Sequence, residues 1–416
     1  MVNTERIPNG YHITEAGILP TEWQVKKLNE VVTELTERAG QDMYETVSIS
    51  AGIGFVNQAE KFGKELSGKQ YEKYVVLHKG DFSYNKGNSK TSPQGCIYRL
   101  NDRESAAVPN VFESFRIKEQ DADYYEQLFL SGFLNRQLYS RINRGVRDDG
   151  LLNLTGKDFY SCMVPIPPKN EQKKIAQILA QCDTVIELKE KYLEEEKRRK
   201  QWLIENVLTG KIRLGKFSEP WEETTIGNCV EYLVGYPFAS DKFTSCGIRL
   251  LRCSNVKRGC LSWEPSLTMY WRKDDSLKPF LMQPGDIVVA MDGALIGRSF
   301  AVVEESDTPS YLVQRVARIR SKMNNLIFQW ISSDKFARHI DSRKTSTAIP
   351  HMTIKDILSF KISIPKSALE ATVIGSTLQN QDKIIRLLTE EIYANKQQKK
   401  ALMQLLLTGT VRVKTQ

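Results

Sequence analysis

An internal duplication constrains this chain more than any other feature of its sequence. A Pro-Trp motif near the start returns in the middle of the chain, where Trp221 lies 198 residues after Trp23, and each half closes on Leu-Thr-Gly. A period of about 200 residues is much longer than that of a solenoid repeat, so we predict a duplicated globular unit. The repeated motifs are Leu19-Pro20-Thr21-Glu22-Trp23 with Glu219-Pro220-Trp221, Gly80-Asp81 with Gly285-Asp286, Thr155 and Asp158 with Thr353 and Asp356, Ile166-Pro167 with Ile364-Pro365, and Leu208-Thr209-Gly210 with Leu407-Thr408-Gly409.

A long amphipathic helix is predicted after each globular segment. Residues 171–208 contain no proline or glycine, and their apolar residues recur at steps of three and four. The second helix runs from about Ser367 to Thr408, with Gln381, Asn395 and Lys399 interrupting its apolar stripe. Two such stripes in one chain favour an intramolecular antiparallel coiled coil. Its predicted seam comprises Ile175, Leu179, Cys182, Ile186, Leu193, Ile374, Leu378, Ile385, Leu388 and Ile392.

A charged run, residues 194–200, lies within the first helix. It is either a solvated face with pairs such as Glu195 with Arg199 or a surface for a partner or a phosphate.

The globular halves read as mixed α and β structure. Strand-like segments include Tyr74–Leu77, Phe82–Tyr84, Ile287–Ala290 and Ser299–Val303. Helical patterns cover Asp123–Tyr139 and Asn325–Ile340. We therefore predict an α+β fold with an internal pseudo-two-fold duplication. Its segments are a first globular domain (1–168), a first long helix (169–212), a second globular domain (213–366), and a second long helix with the tail (367–416).

The charge of the chain favours a polyanionic partner, since the net charge is +9. No apolar run is long enough to cross a bilayer, and the first residues lack the apolar stretch of a signal peptide. Seven cysteines without a Cys-x-x-Cys pair favour reduced thiols in the cytoplasm over a metal site.

Polar and basic loops in both halves are the candidate DNA-binding segments. Arginine can pair with guanine and asparagine with adenine, whereas lysine, serine and backbone amides suit phosphates. Taken singly, each of these residues is more often an ordinary surface loop residue, but both halves offer such loops at comparable places, which favours DNA binding. The candidates are Asn85, Lys86, Asn88, Ser89, Lys90, Arg144, Arg147, Arg249, Arg252, Ser254, Asn255, Lys257, Arg258, Arg298, Arg343, Lys344 and Thr345.

A search for catalytic motifs finds no phosphate-binding GxxxxGK[ST] loop and no convincing methyltransferase loop for a flipped base. The four histidines have no ligand or triad spacing. Two other functions stay open at this point. One is a self-sufficient DNA methyltransferase or nuclease with dispersed catalytic residues, and the other is a coiled-coil scaffold that does not bind DNA.

The repeated layout resembles the specificity subunits of type I restriction-modification enzymes over nearly the whole chain. The segments that carry the resemblance are 19–23, 166–176, 208–213, 247–255, 284–287 and 293–298. The second helix departs from the family pattern, because residues 366–371 replace the expected Pro-x-x-Glu-Gln.

The resemblance implies two target-recognition domains, each reading half of a split site in double-stranded DNA, separated by an antiparallel coiled coil. It implies no catalytic residue, cofactor or metal in this chain. Two modification subunits would methylate adenine with S-adenosylmethionine, and restriction subunits would use ATP and Mg to translocate and cleave DNA. No membrane partner is expected.

Overall fold

The computed structural model describes residues 7–59, 68–87, 92–142, 152–345 and 350–414. Two compact units divide the chain: unit 1 comprises residues 1–189 and 391–416, and unit 2 comprises residues 190–390. Each unit therefore contains one globular domain and parts of both long helices. No described helix is both long and apolar enough to cross a membrane.

The described helices and strands of unit 1 include the start of a long helix and a four-stranded antiparallel sheet in the order β4-β11-β8-β9. The strands are β1 (Tyr11–Thr14), β2 (Gly17–Pro20), β3 (Gln24–Lys27), β4 (Val32–Glu34), β5 (Val47–Ser50), β6 (Gly54–Asn57), β7 (Val75–His78), β8 (Phe82–Asn85), β9 (Cys96–Arg99), β10 (Ser105–Val108), β11 (Glu113–Ile117) and β12 (Met163–Ile166). The helices are α1 (Leu28–Val31), α2 (Ala122–Leu130), α3 (Asn135–Arg141), α4 (Gly156–Tyr160) and the long α5 (Lys169–Asn206), and Gly68–Lys73 forms a 3-10 helix.

Unit 2 repeats the four-stranded antiparallel sheet in the order β14-β20-β17-β18 and adds a three-stranded sheet, β16-β15-β19. The strands are β13 (Trp221–Thr225), β14 (Glu231–Val234), β15 (Ile248–Leu251), β16 (Tyr270–Trp271), β17 (Ile287–Ala290), β18 (Phe300–Val302), β19 (Ser310–Leu312), β20 (Val316–Arg320) and β21 (Lys361–Pro365). The helices are α6 (Asn324–Ile331), α7 (Asp334–Asp341), α8 (Ile354–Leu358) and the long α9 (Ala368–Leu407), with 3-10 helices at Ile226–Cys229, Ser240–Lys242, Cys253–Asn255, Asp275–Phe280 and Glu305–Asp307.

The mixed α and β fold is confirmed, and the repeated motifs have repeated structural roles. Each Gly-Asp motif places an aspartate before a central strand. The Arg116 guanidinium donates two hydrogen bonds to the Asp81 carboxylate, at 2.6 and 2.9 Å, and Arg320 donates two to Asp286 in the same way. Thr155 and Thr353 are the N-cap residues of short helices, and each forms a capping box with the aspartate three residues later. In a capping box the two side chains accept hydrogen bonds from backbone amides that have no partner within the helix. These motifs therefore stabilise the fold.

The two predicted mid-domain helices are each split in two. Asp123–Tyr139 becomes α2 and α3, separated by a turn at Ser131-Gly132, and Asn325–Ile340 becomes α6 and α7. In the second case the Ser333 side chain accepts a hydrogen bond from the Phe336 amide and starts a new helix. A serine that caps a helix leaves the spacing of the apolar residues intact, so periodicity alone predicted one helix where α6 and α7 exist.

The long helices run antiparallel where they meet inside each unit. In unit 1 the Lys189 amine is 2.5 Å from the Glu391 carboxylate, and Lys399 binds Asp183 at 2.5 and 2.6 Å. In unit 2 Lys200 binds Asp382. In both units, residues further along α5 meet residues earlier in α9. All ten residues of the predicted seam are buried or half-buried.

Part of the charged run in α5, residues 194–200, lies in the seam between the two long helices. Its observed pairs are Glu194 with Lys197 and Glu196 with Arg199, three residues apart, so the predicted pair of Glu195 with Arg199 is replaced. Glu196 is buried and accepts a hydrogen bond from the Gln381 side chain. Gln381 therefore interrupts the apolar stripe because it has a polar partner there.

A cluster of three residues joins each domain to the ends of the helices; we call it the tail cluster. In unit 1 the buried Glu171 carboxylate accepts a hydrogen bond from the Trp23 indole at 3.0 Å and two from the Arg412 guanidinium at 2.7 and 2.9 Å. In unit 2 Glu370 accepts from the Trp221 indole at 3.4 Å and twice from Arg213. Hydrogen bonding to Glu171 and Glu370 raises the pKa of both arginines.

The Leu-Thr-Gly motifs place these arginines. Gly409 and Gly210 have φ angles of 67° and 73°, a conformation that strongly favours glycine. A Cβ on Gly210 would lie 2.9 Å from the Trp221 ring, and one on Gly409 would lie 2.5 Å from Pro20. The Pro-Trp and Leu-Thr-Gly motifs therefore occur together because they are in contact. Glu370 holds the place of Glu171 even though the helix start departs from the family pattern.

A second shared cluster, the seam cluster, joins a domain helix to both long helices. Gln127 donates to Asp183 at 3.1 Å in unit 1, and Gln329 donates to Asp382 at 2.8 Å in unit 2. The same two aspartates bind Lys399 and Lys200 from the opposite helix. A polar contact at one place in an apolar seam favours one register over its neighbours.

Candidate nucleic-acid interface

One edge of the four-stranded sheet in unit 2 gathers several strand-end loops. Because neighbouring strands are antiparallel, Val234, Ala290, Phe300 and Val316 lie at the same edge. Residues 291–299 and 313–315 connect strands there. The segment after α7 returns to this edge, where the Met352 amide donates to the Met291 carbonyl at 2.9 Å.

Arg315 is the most prominent side chain at this edge. Its φ angle is 70°, which is uncommon for a residue other than glycine and is frequent at functional sites. Its side chain is 56% exposed and its Nε lies 3.6 Å from Asp292. Gln314 beside it is also exposed. Neither residue was predicted from the sequence, since a positive φ at an arginine leaves no trace in a sequence pattern.

Arg298 and Lys344 are held together at the same end of the domain by Asp341. The guanidinium contacts the carboxylate at 3.1 and 2.6 Å, and the amine contacts it at 2.7 Å. Hydrogen bonds from Arg298 and Lys344 hold the pKa of Asp341 well below its usual range. Both cationic side chains stay half-exposed. Asp341 therefore fixes their positions while leaving part of each side chain accessible to a ligand.

The residues on either side of Lys344, Arg343 and Thr345, complete this segment. Arg343 is exposed and donates to the His339 carbonyl at 3.3 Å. The Thr345 hydroxyl lies 3.0 Å from the His351 ring.

The corresponding edge of unit 1 is formed by the end of β8, the starts of β9 and β11, and the end of β4. Asn85 donates to the Ile49 carbonyl at 3.1 Å and accepts from the Gly87 amide. Lys86 is 3.4 Å from Glu113. The Leu152 amide donates to the Lys86 carbonyl at 2.9 Å, so the segment after α3 also returns to the sheet edge. Asn88, Ser89, Lys90, Arg144 and Arg147 lie outside the described residues.

Three predicted DNA-binding residues make contacts within their own domain. Asn255 is fully buried and bonds the Ser262 carbonyl and the Arg252 amide. Arg252 donates to the Leu267 carbonyl at 2.6 Å. Arg249 stacks on Trp263 at 4.4 Å and donates to the Ser306 carbonyl. Asn255 is therefore removed from the candidate interface, whereas a DNA-binding role of the half-buried Arg249 and Arg252 stays a prediction.

Ser254, Lys257 and Arg258 come from the same stretch but point outwards. All three are exposed, and no side-chain hydrogen bond or ion pair joins them to any residue that the structure describes. They remain candidates for contact with a polyanion.

Within the described ranges, no group of three or more histidine, cysteine, aspartate or glutamate side chains could hold a metal ion.

Comparisons with known proteins identify the family. Residues 20–197 and 274–395 match the profile of the type I restriction modification DNA specificity domain. The chain belongs to this family. The predicted resemblance is thus confirmed.

Among relatives of this specificity-domain chain, the MjaVIII specificity subunit of Methanocaldococcus jannaschii is 28% identical over 64% of the chain and 66% of its own length, just under two thirds. The EcoAI specificity subunit of Escherichia coli is 31% identical over 33% of the chain and 24% of its own length. The putative MjaX specificity subunit of M. jannaschii is 24% identical over 97% of the chain and 96% of its own length.

The fold of the specificity-domain chain is similar to a solved S subunit of a type I restriction-modification system from M. genitalium. The TM-score is 0.61 with 12% identity, and all of both chains is covered. At this level of identity the likeness concerns the fold alone.

Proposed function

We propose that this chain is the DNA sequence-recognition subunit of a type I restriction-modification complex, with each unit reading one half of a bipartite site. The observation that carries the proposal is the repeated sheet edge. In both units the loop after the third strand in the order of the four-stranded sheet, β8 or β17, meets a segment that returns from a short helix. Polar and basic residues are concentrated in these loops, as base and phosphate contacts require.

The chemistry is assigned to partner subunits. Modification subunits would carry S-adenosylmethionine, and restriction subunits would carry ATP and Mg. This chain would recognise the target DNA sequence and would catalyse no step itself. The names of the relatives, which are specificity subunits, support this division of labour.

Two equivalent partner sites are supported by the helices. Val185 and Leu188 are exposed on α5 in unit 1, and Ile384 and Leu387, 199 residues later, are exposed on α9 in unit 2. Exposed apolar pairs at repeated positions suit two copies of one partner. We expect Leu188→Lys and Leu387→Lys each to reduce a complex with two modification subunits to one with a single subunit. Native mass spectrometry measures this, and unchanged assembly of both variants would contradict these sites.

Sequence reading is tested in a host that expresses this chain with its modification and restriction subunits. Single-molecule sequencing of genomic DNA should reveal a two-part motif with a methylated adenine in each half. Arg315→Ala should relax or weaken only the half read by unit 2, by about 1–3 kcal/mol per lost base contact. Arg272→Ala, at an exposed position away from the sheet edge, is the control. Equal loss at both halves would exclude separate readers.

A further inference from the structure

Unit 2 contains a wide groove that the sheet-edge interface does not use. Its walls come from α5, α9, the loop at 258–260 and the α6–α7 region, and its volume is 1410 Å³. Sites for small ligands generally measure about 300–1,000 Å³. The size therefore favours a segment of a macromolecule over a metabolite.

The floor of the groove is apolar and aromatic. Ile204, Phe300, Phe328, Trp330 and Ile385 line it. The Trp330 indole N–H and the Gln329 side-chain oxygen have no hydrogen-bond partner among the described residues, although both side chains are at least 97% buried. A polypeptide could supply apolar side chains to such a floor.

The rim is strongly basic. Eight lysine and arginine side chains line the groove against four carboxylates. Two of those carboxylates are already engaged, Asp382 by Lys200 and Glu304 by Arg386. Lys211, Arg258, Arg338 and Lys383 have no side-chain partner within the described part of the chain. The groove therefore has unneutralised positive charge around an apolar centre.

Part of this charge is specific to unit 2: Lys197 and Lys200 have counterparts in Lys396 and Lys399, but three other basic positions do not. At the positions 199 residues away in the duplication, Thr184 replaces Lys383, Glu187 replaces Arg386 and Thr410 replaces Lys211. The seam cluster and tail cluster are nevertheless the same in both units. This part of the basic rim is thus an addition to the shared framework.

We propose that this groove binds an acidic amphipathic segment of a partner polypeptide. Apolar side chains of the segment contact the half-buried Ile204, Phe328 and Ile385. Its aspartate and glutamate residues contact Arg258, Lys383 and Arg386. Helices and peptides that bind grooves bury an apolar face in this way, and complementary charge at the rim selects the partner and accelerates its association. A DNA backbone would use the cations but would gain nothing from the apolar floor. The proposal does not depend on the DNA-recognition function.

The experiment selects peptides from a random 12-residue phage library on the full-length protein. The sequences that are enriched should combine leucine or aromatic residues with aspartate or glutamate. A fluorescein-labelled copy of the most enriched peptide should bind in a salt-sensitive manner. The double variant Lys383→Glu/Arg386→Glu should weaken its binding by about tenfold or more.

The matched control is Lys242→Glu/Lys273→Glu, which makes the same charge change at exposed positions outside the groove. It should leave peptide affinity within about twofold. Thermal unfolding verifies that both double variants are folded. Enrichment without acidic residues, or equal affinity for wild type and the groove variant, would overturn the proposal. Loss of duplex-DNA affinity with unchanged peptide binding would assign the groove to the DNA backbone instead.

Discussion

Unit 1 and unit 2 attach a domain to the long helices through the same two polar clusters, although the chain supplies their members in a different order. In unit 2 the tail-cluster arginine, Arg213, precedes its domain; in unit 1 the arginine, Arg412, follows its domain by more than 200 residues. The hydrogen bonds are nevertheless equivalent. The clusters therefore depend on local geometry at the junction and not on the order of the segments along the chain.

The units differ beside those clusters. Next to Glu171 stands Gln172, which is fully buried and makes hydrogen bonds to the Asp121 amide, the Gln120 side chain and the Pro167 carbonyl. Next to Glu370 stands Ala371, which is buried in the apolar core of unit 2. Unit 1 thus has a polar attachment where unit 2 has an apolar one.

The largest effect is expected from the tail cluster, and it should be the same in both units. Removing the carboxylate in Glu171→Ala or Glu370→Ala leaves an indole and an arginine without their acceptor. Each change should lower the free energy of unfolding by about 3 kcal/mol. Hydrogen exchange read by mass spectrometry should localise the loss to unit 1 for the first variant and to unit 2 for the second.

The control for the tail cluster is glutamine at the same positions, which retains an acceptor oxygen and should cost less. Exchange that rises equally in both units for either variant would show that the two clusters are not independent.

Gln172→Ala should reveal the difference between the units. Two or three buried hydrogen bonds are lost and a neighbouring amide is left unsatisfied, which should cost about 2 kcal/mol. The converse variant, Ala371→Gln, places an amide in an apolar core and should also destabilise the protein. Chemical denaturation measures both. A neutral Ala371→Gln would mean that unit 2 can accept the polar attachment.

The seam cluster should show a smaller and graded effect. Asp382→Ala should cost about 1 kcal/mol and Asp183→Ala less, because the Asp382 side chain is 33% exposed and the Asp183 side chain 48%. Thermal unfolding at low and high salt compares the two variants. The reverse ranking would show that exposure does not determine the strength of this contact.

The smallest effect concerns thiol reactivity and leaves stability unchanged. Cys246 and Cys260 in unit 2 are exposed, whereas Cys162 in unit 1 is buried and burial raises its pKa to about 11. Since the thiolate is the reactive form, iodoacetamide at pH 8 should label Cys246 and Cys260 first and leave Cys162 unlabelled until the protein unfolds. Peptide mass mapping identifies the sites. Early labelling of Cys162 would indicate that the domain core of unit 1 opens readily.

Much of the fold could be predicted because the necessary signals are local. Helical periodicity located α5 and α9 to within a few residues of their observed bounds, and the strand predicted at Ile287–Ala290 is β17. Short caps were less visible, so each mid-domain helix was predicted as one element where two exist.

The candidate site was harder to predict because exposure and pairing are tertiary properties. Arg252 and Asn255 have the residue types that read DNA, yet they stabilise their own loop. Arg315 was overlooked, although the structure holds it exposed at the sheet edge.

The sequence by itself determined the duplication, the amphipathic helices and the family, since each depends on residue types at short or regular spacing. Only the tertiary structure decided which polar residues form hydrogen bonds or ion pairs inside the protein and which stay exposed to a partner. Arg412 meets Glu171 across 241 residues of chain, and Lys399 meets Asp183 across 216. Contacts at such separations arise only when packing brings the segments together, so no local pattern can assign them.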